Sequence, residues 1–271
     1  MSDDGIFDAA IAATYDQRHD TDPAELAAMV GVLADLAGRD GDAGTGAGMA
    51  LEFAIGTGRV ALPLQAAGVT VKGIEMSRAM VEKLRQKPGG APMEIAIGDM
   101  TTTRIAGAFS LVFLVYNTID NLVTQAAQVA CFRNAAAHLA PGGRFLVETL
   151  VPPLLRLSPG ETRLAFARSP DHWGIDEFDV VSQRYTSHHI WPGEAGAGTT
   201  GPGTTAAGPT GAGPTRAGPT AIPFRYAFPA EMDLMAQIAG LKPDDRWGNW
   251  QRGAFTAEST SHISVWRKPL T

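Results

Sequence analysis

A glycine-containing turn between a predicted strand and a predicted helix is the strongest chemical signal in the sequence. It lies in LEFAIGTGR, residues 51–59, where Gly56 and Gly58 permit a sharp bend and leave room for a ligand beside the main chain. The helix behind the turn adds backbone N–H groups that have no partner within the helix. Tight turns of this kind also occur for structural reasons alone, so the turn by itself leaves both interpretations open.

Three carboxylates favour the ligand interpretation because they fall at matching places along the chain. Glu52, Glu75 and Asp99 each lie at or near the carboxyl end of a predicted strand, and the three strands are consecutive. Open parallel sheets bind ligands in the crevice at that edge. Glu75 follows Gly58 by 17 residues and can accept hydrogen bonds from both hydroxyl groups of a ribose. One such residue could be an exposed strand-end charge, whereas the set predicts a shared ligand site.

Five segments resemble the motifs of the class I S-adenosylmethionine-dependent methyltransferases. LEFAIGTGR is similar to the family's first motif, VKGIEMS to its second, and AIGDM to its adenine-site motif. FSLVFLVYNTIDNL resembles the fourth strand with its active-site loop, and PGGRFLVETL resembles the fifth strand with the preceding turn. The resemblance extends from about residue 15 to the end of the chain and is most specific within residues 51–150.

The resemblance implies S-adenosyl-L-methionine as the cofactor and assigns residues to it. Glu75 would bind the ribose and Asp99 the exocyclic amine of adenine, with Met100 beside the ring. The sequence departs from the motif at Ala54, where the family has its first glycine, so the turn must accommodate a methyl group and a residue that disfavours positive φ. The implied cofactor contacts are Tyr15, Glu52, Ala54, Gly56, Gly58, Arg59, Glu75, Met76, Asp99, Met100, Tyr116 and Asn117.

Two other functions could use the same residues. Residues 56–61, GTGRVA, also satisfy a looser dinucleotide pattern, which allows an NAD(P)-dependent oxidoreductase. Against that alternative, Asp99 has no evident dinucleotide role, Glu52 is typical of the methyltransferase turn, and we expect no second catalytic domain. The other alternative is a non-catalytic S-adenosylmethionine-binding protein that acts through a partner, for which the substituted Ala54 leaves room.

The sequence favours a small-molecule acceptor over a nucleic acid. The 22 basic and 28 acidic residues give a net charge of −6, which does not attract a polyphosphate backbone. Base-modifying members of the family usually carry Asn or Asp, two prolines and an aromatic residue after the fourth strand. Here that position reads YNTID, residues 116–120, and the Pro-Pro pair is residues 152–153. We therefore expect in-line methyl transfer to a nitrogen or oxygen atom of a metabolite.

Candidate catalytic groups are Tyr15, in a segment that resembles the family's cofactor-covering helix, and the adjacent His188 and His189. Adjacent residues of a strand point to opposite faces, so one histidine would face inward, where it could serve a hydroxyl acceptor as a base. Trp173 and Trp191 are the tryptophans that we expect to wall an apolar substrate pocket. The sequence has no HxxxH pattern and no cysteine cluster, so we expect no metal.

After two predicted helices, strands and helices alternate, which predicts a parallel sheet with helices on both faces. Together with the resemblance, this leads us to expect an α/β, Rossmann-like, seven-stranded and mostly parallel sheet, with its last strand antiparallel, in one methyltransferase domain over residues 1–271. Residues 1–40 are expected to cover the cofactor. Residues 178–190 and 222–228 are predicted as the arms of an antiparallel β-hairpin lid, within a substrate lobe over residues 151–228.

A low-complexity tract, residues 193–221, would lie at the tip of this hairpin. Gly, Ala, Thr and Pro fill 27 of its 29 positions, and GPT recurs at residues 208, 213 and 218. Such a composition buries almost no apolar surface, so we expect a disordered loop.

Cysteine usage and the lack of targeting signals favour the cytoplasm. The single cysteine, Cys131, excludes an internal disulfide and fits a reducing compartment. The N-terminal MSDDGIF lacks the basic start and apolar stretch of a signal peptide. The longest apolar run, within FSLVFLVY, is far too short to span a membrane, so we expect no membrane partner.

Overall fold

The computed structural model describes residues 7–18, 21–38, 48–170, 172–191 and 220–270. The chain divides into two units, the first comprising Met1–Pro152 with Ala227–Thr271 and the second comprising Pro153–Tyr226. The helices are α1 (Ala9–Arg18), α2 (Pro23–Ala37), α3 (Ala61–Ala66), α4 (Arg78–Arg85), α5 (Gln125–His138) and α6 (Pro229–Ile238). The strands are β1 (Met49–Phe53), β2 (Thr70–Glu75), β3 (Ile95–Ile97), β4 (Phe109–Leu114), β5 (Leu139–Leu150), β6 (Arg163–Arg168), β7 (Trp173–Asp179), β8 (Arg184–Ile190), β9 (Thr220–Arg225), β10 (Lys242–Trp247) and β11 (Ser261–Arg267).

Seven strands of the first unit form one sheet in the order β10-β11-β5-β4-β1-β2-β3. Strands β1 to β5 pair in parallel, whereas β11 is antiparallel to both β5 and β10. The predicted Rossmann-like sheet is therefore confirmed. The strand order reverses between β1 and β4, and ligands of such sheets bind at the carboxyl edge beside that reversal.

The central strand β4 shows why the sheet is covered on both faces. Leu111 and Phe113 belong to an apolar cluster that includes residues of α2 and α3, whereas Val112 and Leu114 belong to a cluster with residues of α5 and α6. All four side chains are fully buried. A continuous apolar run is what a parallel strand buried on both faces requires.

Side-chain caps set where the helices of the first unit begin. Asp22 Oδ1 accepts the N–H of Ala24 at 2.9 Å before α2, and Ser77 Oγ accepts the N–H of Met80 at 3.2 Å before α4. Each cap satisfies an N–H that has no partner within its helix. Among the helices that the structure describes, none has the length and apolar composition needed to cross a bilayer.

The second unit contains a four-stranded antiparallel sheet in the order β6-β7-β8-β9. The predicted pairing between the two hairpin arms is present, because Ser187 of β8 lies opposite Ile222 of β9. Most of the low-complexity tract, residues 193–219, lies outside the described residues. The role of this unit as a lid stays a prediction.

The prediction of residues 178–190 as one strand was wrong, because a turn separates β7 from β8. Asp179 Oδ1 accepts the N–H of Val181 at 3.0 Å, and Gln183 has a φ of +55°. Val180 and Val181 are exposed, so their β propensity gains no burial that would extend the strand. The local bonds of the aspartate side chain decide the conformation instead.

Candidate active site

Two cavities of the first unit lie beside the ends of β1, β4 and β5. The glycine-turn cavity is lined by Tyr15, Glu52, Phe53, Ala54, Ile55, Gly56, Thr57, Arg59, Val60, Val115, Tyr116 and Thr118. The acidic cavity has a volume of about 250 Å³ and is lined by Asp22, Ala24, Glu25, Glu148, Asn249, Trp250, Gln251, Ser261 and Ile263. Six of the twelve predicted cofactor contacts line the first cavity, and the predictions named none of the residues of the second.

The glycine turn contains three residues with positive φ. These are Ala54 at +51°, Gly56 at +56° and Gly58 at +76°. A Cβ atom at position 58 would lie 2.9 Å from the Leu84 side chain, so both conformation and space require glycine there. Ala54 adopts the left-handed conformation despite its Cβ atom, which makes it a strained position beside the cavity.

Glu75 joins the turn to the end of β2. Its Oε2 accepts the N–H of Gly56 at 2.8 Å, and its Oε1 accepts the N–H of Ser77 at 2.8 Å. A carboxylate oxygen accepts more than one hydrogen bond, so these bonds are compatible with further donors such as ribose hydroxyls. Glu75 is therefore placed to shape the turn and to bind a ligand.

An apolar surface lies beside Glu75 at the ends of β2 and β3. Met76 is 46% exposed, and Ile97, which pairs with Glu75 across the two strands, is 37% exposed. Large apolar side chains exposed next to a polar ligand site are suited to the face of a planar ring. Sequence reasoning missed Ile97; the signal was an apolar residue at the last position of a strand next to the ribose carboxylate.

Asp99 and Met100 follow β3 in a loop held by buried groups. Asp99 Oδ1 accepts the N–H of Thr101 at 2.7 Å. The carbonyl of Met100 accepts a bond of 2.7 Å from the Asn134 side chain, and the Met100 side chain is buried in the apolar cluster with α5 and α6. The loop is thus fixed, and contacts of either side chain with a ligand stay a prediction.

Glu52 and Arg59 place a buried carboxyl group and a guanidinium in the glycine-turn cavity. Glu52 is buried, and among the described residues its Oε2 has no hydrogen-bond partner. Burial raises the pKa of the Glu52 carboxyl well above its ordinary value, an effect that nearby Arg59 opposes. Arg59 Nη1 donates to Thr21 Oγ1 at 3.1 Å. A buried acceptor without a partner beside a fixed cation suits a ligand that carries both an ammonium and a carboxylate group.

Helix α1 packs on the glycine turn, and its role as a cover of the cofactor stays a prediction. Asp16 forms an ion pair of 2.7 Å with Lys87 and accepts the Thr57 hydroxyl at 2.5 Å. Tyr15 lines the cavity, and its ring lies edge-on to Phe7 at 6.2 Å. Burial raises the pKa of Tyr15, so its hydroxyl is protonated at neutral pH and is a hydrogen-bond donor rather than a base.

The loop after β4 is strained and is bonded to β5. Tyr116 and Asn117 both have a φ of +57°. Asn117 Oδ1 accepts the N–H of Leu150 at 2.7 Å, and Glu148 Oε2 accepts the N–H of Tyr116 at 2.5 Å. Consecutive left-handed residues without glycine are uncommon, and such strain concentrates at functional sites. The loop that the sequence predicted as part of the active site therefore contributes Tyr116 to the glycine-turn cavity and is bonded to Glu148 of the acidic cavity.

Glu148 is the acid of the acidic cavity whose pKa burial raises. Burial raises the pKa of its carboxyl to about 7, the N–H of Tyr116 and the charge of Arg59 oppose the increase, and Glu25 adds to it. Asp22 and Glu25, by contrast, are exposed. Sequence reasoning missed Glu148, although a single charge near the carboxyl end of the apolar strand FLVETL was a usable signal.

The predicted catalytic histidines lie on β8 of the second unit. His188 Nε2 is 3.5 Å from Glu177 Oε2, and His189 Nδ1 is 2.9 Å from His172 Nε2. The His189 ring also stacks on Trp191, with centroids 5.6 Å apart, and Trp173 is 52% exposed. The roles of both histidines and both tryptophans stay predictions. Within the described ranges, no group of three His, Cys, Asp or Glu side chains could hold a metal ion.

Comparisons of the sequence with known proteins point to methyltransferases. A family model described as a methyltransferase domain matches residues 50–143, which include the glycine turn, Glu75, Asp99 and Tyr116. The Cypemycin N-terminal methyltransferase from Streptomyces sp. is 27% identical over 165 residues, which are 60% of this chain and 64% of that protein. The match therefore spans less than two thirds of the length of this curated relative.

The fold is also similar to those of solved methyltransferase structures. The CcbJ methyltransferase from Streptomyces caelestis has a TM-score of 0.73 and 29% identity, over 98% of this chain and 99% of that chain. CalS10 from Micromonospora echinaspora, an amino pentose methyltransferase with bound S-adenosylmethionine, has a TM-score of 0.63 and 20% identity, over 94% of this chain and 95% of that chain. At that identity, the likeness to CalS10 is one of fold.

Proposed function

We propose that this chain, which belongs to the class I S-adenosylmethionine-dependent methyltransferases, transfers a methyl group to an amine nitrogen of a small molecule. The proposal of an amine as the methyl acceptor rests on the acidic cavity. Its lining has three carboxylates, Asp22, Glu25 and Glu148, and within the described residues no lysine, arginine or histidine. Amines are protonated at neutral pH, so this cavity favours them over neutral hydroxyl compounds.

Two further observations support a small amine. The cavity volume of about 250 Å³ suits a small ligand, and Trp250 and Ile263 give it buried apolar walls. The relative from Streptomyces sp. is named for methylation of an N-terminus, which supports nitrogen as the accepting atom.

The residues of the glycine-turn cavity fit S-adenosylmethionine. Glu52, whose Oε2 has no partner among the described residues, would accept from the ammonium group, and Arg59 would bind the carboxylate. Glu75 would accept the ribose hydroxyls, and the exposed Met76 and Ile97 would contact the adenine ring. When bound, the cofactor supplies an electrophilic methyl group, so that a nitrogen–carbon bond forms as the methyl–sulfur bond breaks and sulfur keeps the electron pair.

The protein contributes mainly alignment. The loop of Tyr116 and Asn117 is held on one side by Glu148 and Leu150 and on the other by Arg59, so it keeps a fixed position beside both cavities. Such orientation of two reactants can supply roughly 7–11 kcal/mol of the barrier reduction.

The first experiment measures thermal unfolding with S-adenosylhomocysteine and, separately, with NAD and NADP. A ligand at a hundred times its dissociation constant adds about 2.7 kcal/mol to the free energy of unfolding, or roughly 5–11 °C in Tm for a chain of this size. We expect a shift with S-adenosylhomocysteine alone. A shift with a dinucleotide instead would contradict the assignment of the glycine turn.

The second experiment tests the acceptor. Methyl-tritiated S-adenosylmethionine is incubated with an alkylamine, an amino sugar and an amino acid amide, each beside its hydroxyl analogue. Label in amines alone supports the proposal, and label in hydroxyl analogues alone overturns the choice of nitrogen. If the cofactor product binds and neither set is labelled, the chain fits the non-catalytic alternative.

A further inference from the structure

We infer that Glu148 holds the ammonium group of the acceptor and takes up its proton before methyl transfer. This inference rests on the proposed N-methylation. The N–H bond breaks as an O–H bond forms on the Glu148 carboxylate, and the electron pair stays on nitrogen as the nucleophile. The proton then passes from Glu148 to water, so the side chain is restored for the next turnover.

The position of Glu148 between the two cavities is the geometric basis. Its Oε2 accepts the N–H of Tyr116, a residue of the glycine-turn cavity, while the same carboxylate lines the acidic cavity. An amine bound at Glu148 therefore lies beside Tyr116, which also lines the cavity of the predicted cofactor contacts.

The surroundings of Glu148 keep it in place. It lies opposite Ile263 in the pairing of β5 with β11, and Ile263 and Trp250 beside the cavity are both buried. A carboxylate on a central strand with packed neighbours has few alternative rotamers. It is thus a better fixed proton acceptor than Asp22 or Glu25, which lie exposed at the start of α2.

The charged groups around Glu148 suit it to exchange protons near neutrality. Asp22 and Glu25 lie on the side of α2, Arg59 follows the glycine turn, and the cavity residues of β11 and of the 249–251 loop carry no charge. Because burial raises the pKa of Glu148 to about 7, the carboxylate accepts a proton from an ammonium more readily than an ordinary glutamate does. The exposed Asp22 and Glu25 favour the approach of a cation.

A purely structural role is the competing explanation, because Glu148 also holds the strained loop through the Tyr116 N–H. The variant Glu148→Gln separates the two roles. Its carboxamide oxygen can still accept that N–H, whereas the amide cannot take up a proton near neutral pH. Glu82→Gln is the matched control, since Glu82 is an exposed residue of α4 that lines neither cavity.

The first test needs no turnover. The full chain is labelled with [δ-¹³C]glutamate, and the resonance lost in Glu148→Gln is titrated with and without propylammonium as the probe. We expect an apparent pKa near 7 that propylammonium lowers by about 1–3, as a cation beside a carboxylate does. A pKa that does not respond to propylammonium overturns the inference.

The second test uses an amine that the wild-type protein methylates. The wild-type kcat/KM should fall as the pH decreases through about 7, because the protonated Glu148 cannot accept a proton. Glu148→Gln should lose about 10²–10⁴-fold in kcat and this acid limb, with S-adenosylhomocysteine affinity within about threefold of wild type. Glu82→Gln should behave as wild type.

The two proposals fail in different ways. If the wild-type protein labels no amine, N-methylation fails, and the NMR titration alone decides whether Glu148 binds a cation. If the wild-type protein labels an amine and Glu148→Gln keeps its kcat and acid limb, the role of Glu148 fails while N-methylation stands.

Discussion

The guanidinium carbon of Arg59 lies 3.8 Å from the centroid of the Tyr116 ring. This contact joins the residue after the glycine turn to the strained loop after β4. Arg59 is also 5.8 Å from the Tyr15 ring centroid and donates to Thr21, so one planar cation organises α1, the turn and the loop. A guanidinium can stack and bond at the same time, whereas an ammonium offers a point charge.

Arg59→Lys should therefore weaken cofactor binding even though the charge is kept. We expect the Kd for S-adenosylhomocysteine to rise about 10- to 100-fold, the equivalent of one charge-assisted hydrogen bond. Isothermal titration calorimetry measures the change. Arg85→Lys, on α4 and outside both cavities, serves as the control. Equal affinity in Arg59→Lys and wild type would show that Arg59 is not a ligand contact.

Glu75→Gln should affect both the turn and the ligand. In the variant, an NH₂ group replaces one of the two carboxylate oxygens and faces the N–H of Gly56 or Ser77. Two donors then face each other, and one hydrogen bond is lost. We expect a loss of about 1–3 kcal/mol in the free energy of unfolding and at least tenfold weaker S-adenosylhomocysteine binding. Urea unfolding and calorimetry measure the two effects. A variant that is destabilised but binds normally would remove Glu75 from the ribose site.

Ala54→Gly should stabilise the free protein. Ala54 has a φ of +51°, a conformation that costs an alanine about 1–2 kcal/mol, and the greater chain entropy of glycine offsets part of the gain. The expected increase in the free energy of unfolding is about 0.5–1 kcal/mol. Ala79→Gly, inside α4, should instead lose about 1 kcal/mol. Destabilisation by both variants would contradict the strain assigned to position 54.

Tyr15→Phe tests whether the hydroxyl of Tyr15, the predicted cofactor contact on α1, binds the cofactor. Because burial raises the pKa of Tyr15, we expect its hydroxyl to act as a donor, and its loss to weaken S-adenosylhomocysteine binding by about fivefold. Tyr15→Ala should weaken binding further, since it also removes the ring near Arg59. Unchanged turnover and affinity in Tyr15→Phe would exclude a direct role for the hydroxyl.

Glu148→Gln should change how stability depends on pH. The folded pKa of about 7 lies above the ordinary 4.5, so the folded state binds this proton more tightly. The resulting stabilisation is complete below pH 4.5 and is lost as the pH rises through 7. Relative to wild type, Glu148→Gln should therefore gain stability between pH 4.5 and pH 8, by up to about 3 kcal/mol. Urea unfolding across this range measures it, and a difference that does not vary with pH would contradict a raised pKa.

The sequence by itself determined the parts that depend on local conformation and strand order. Gly58 marks the turn because the backbone there has positive φ, and Ser77 marks the start of α4 because its side chain caps the helix. The strand-end position of Glu75 predicted its place at the carboxyl edge, since parallel strands end at the same edge of a sheet. Each of these features is encoded within a few residues or in the alternation of strands and helices.

Only the tertiary structure decided how distant residues combine. Glu25 belongs to α2 and Glu148 belongs to β5. They line one cavity because the start of α2 and the carboxyl end of β5 lie beside each other in the folded chain. The raised pKa of Glu148 comes mainly from burial, which depends on packing by elements that no local pattern specifies. Likewise, Ile97 is exposed because no other element that the structure describes packs over it after folding. Arg59 and Tyr116 are distant in the sequence and come into contact only in the folded chain.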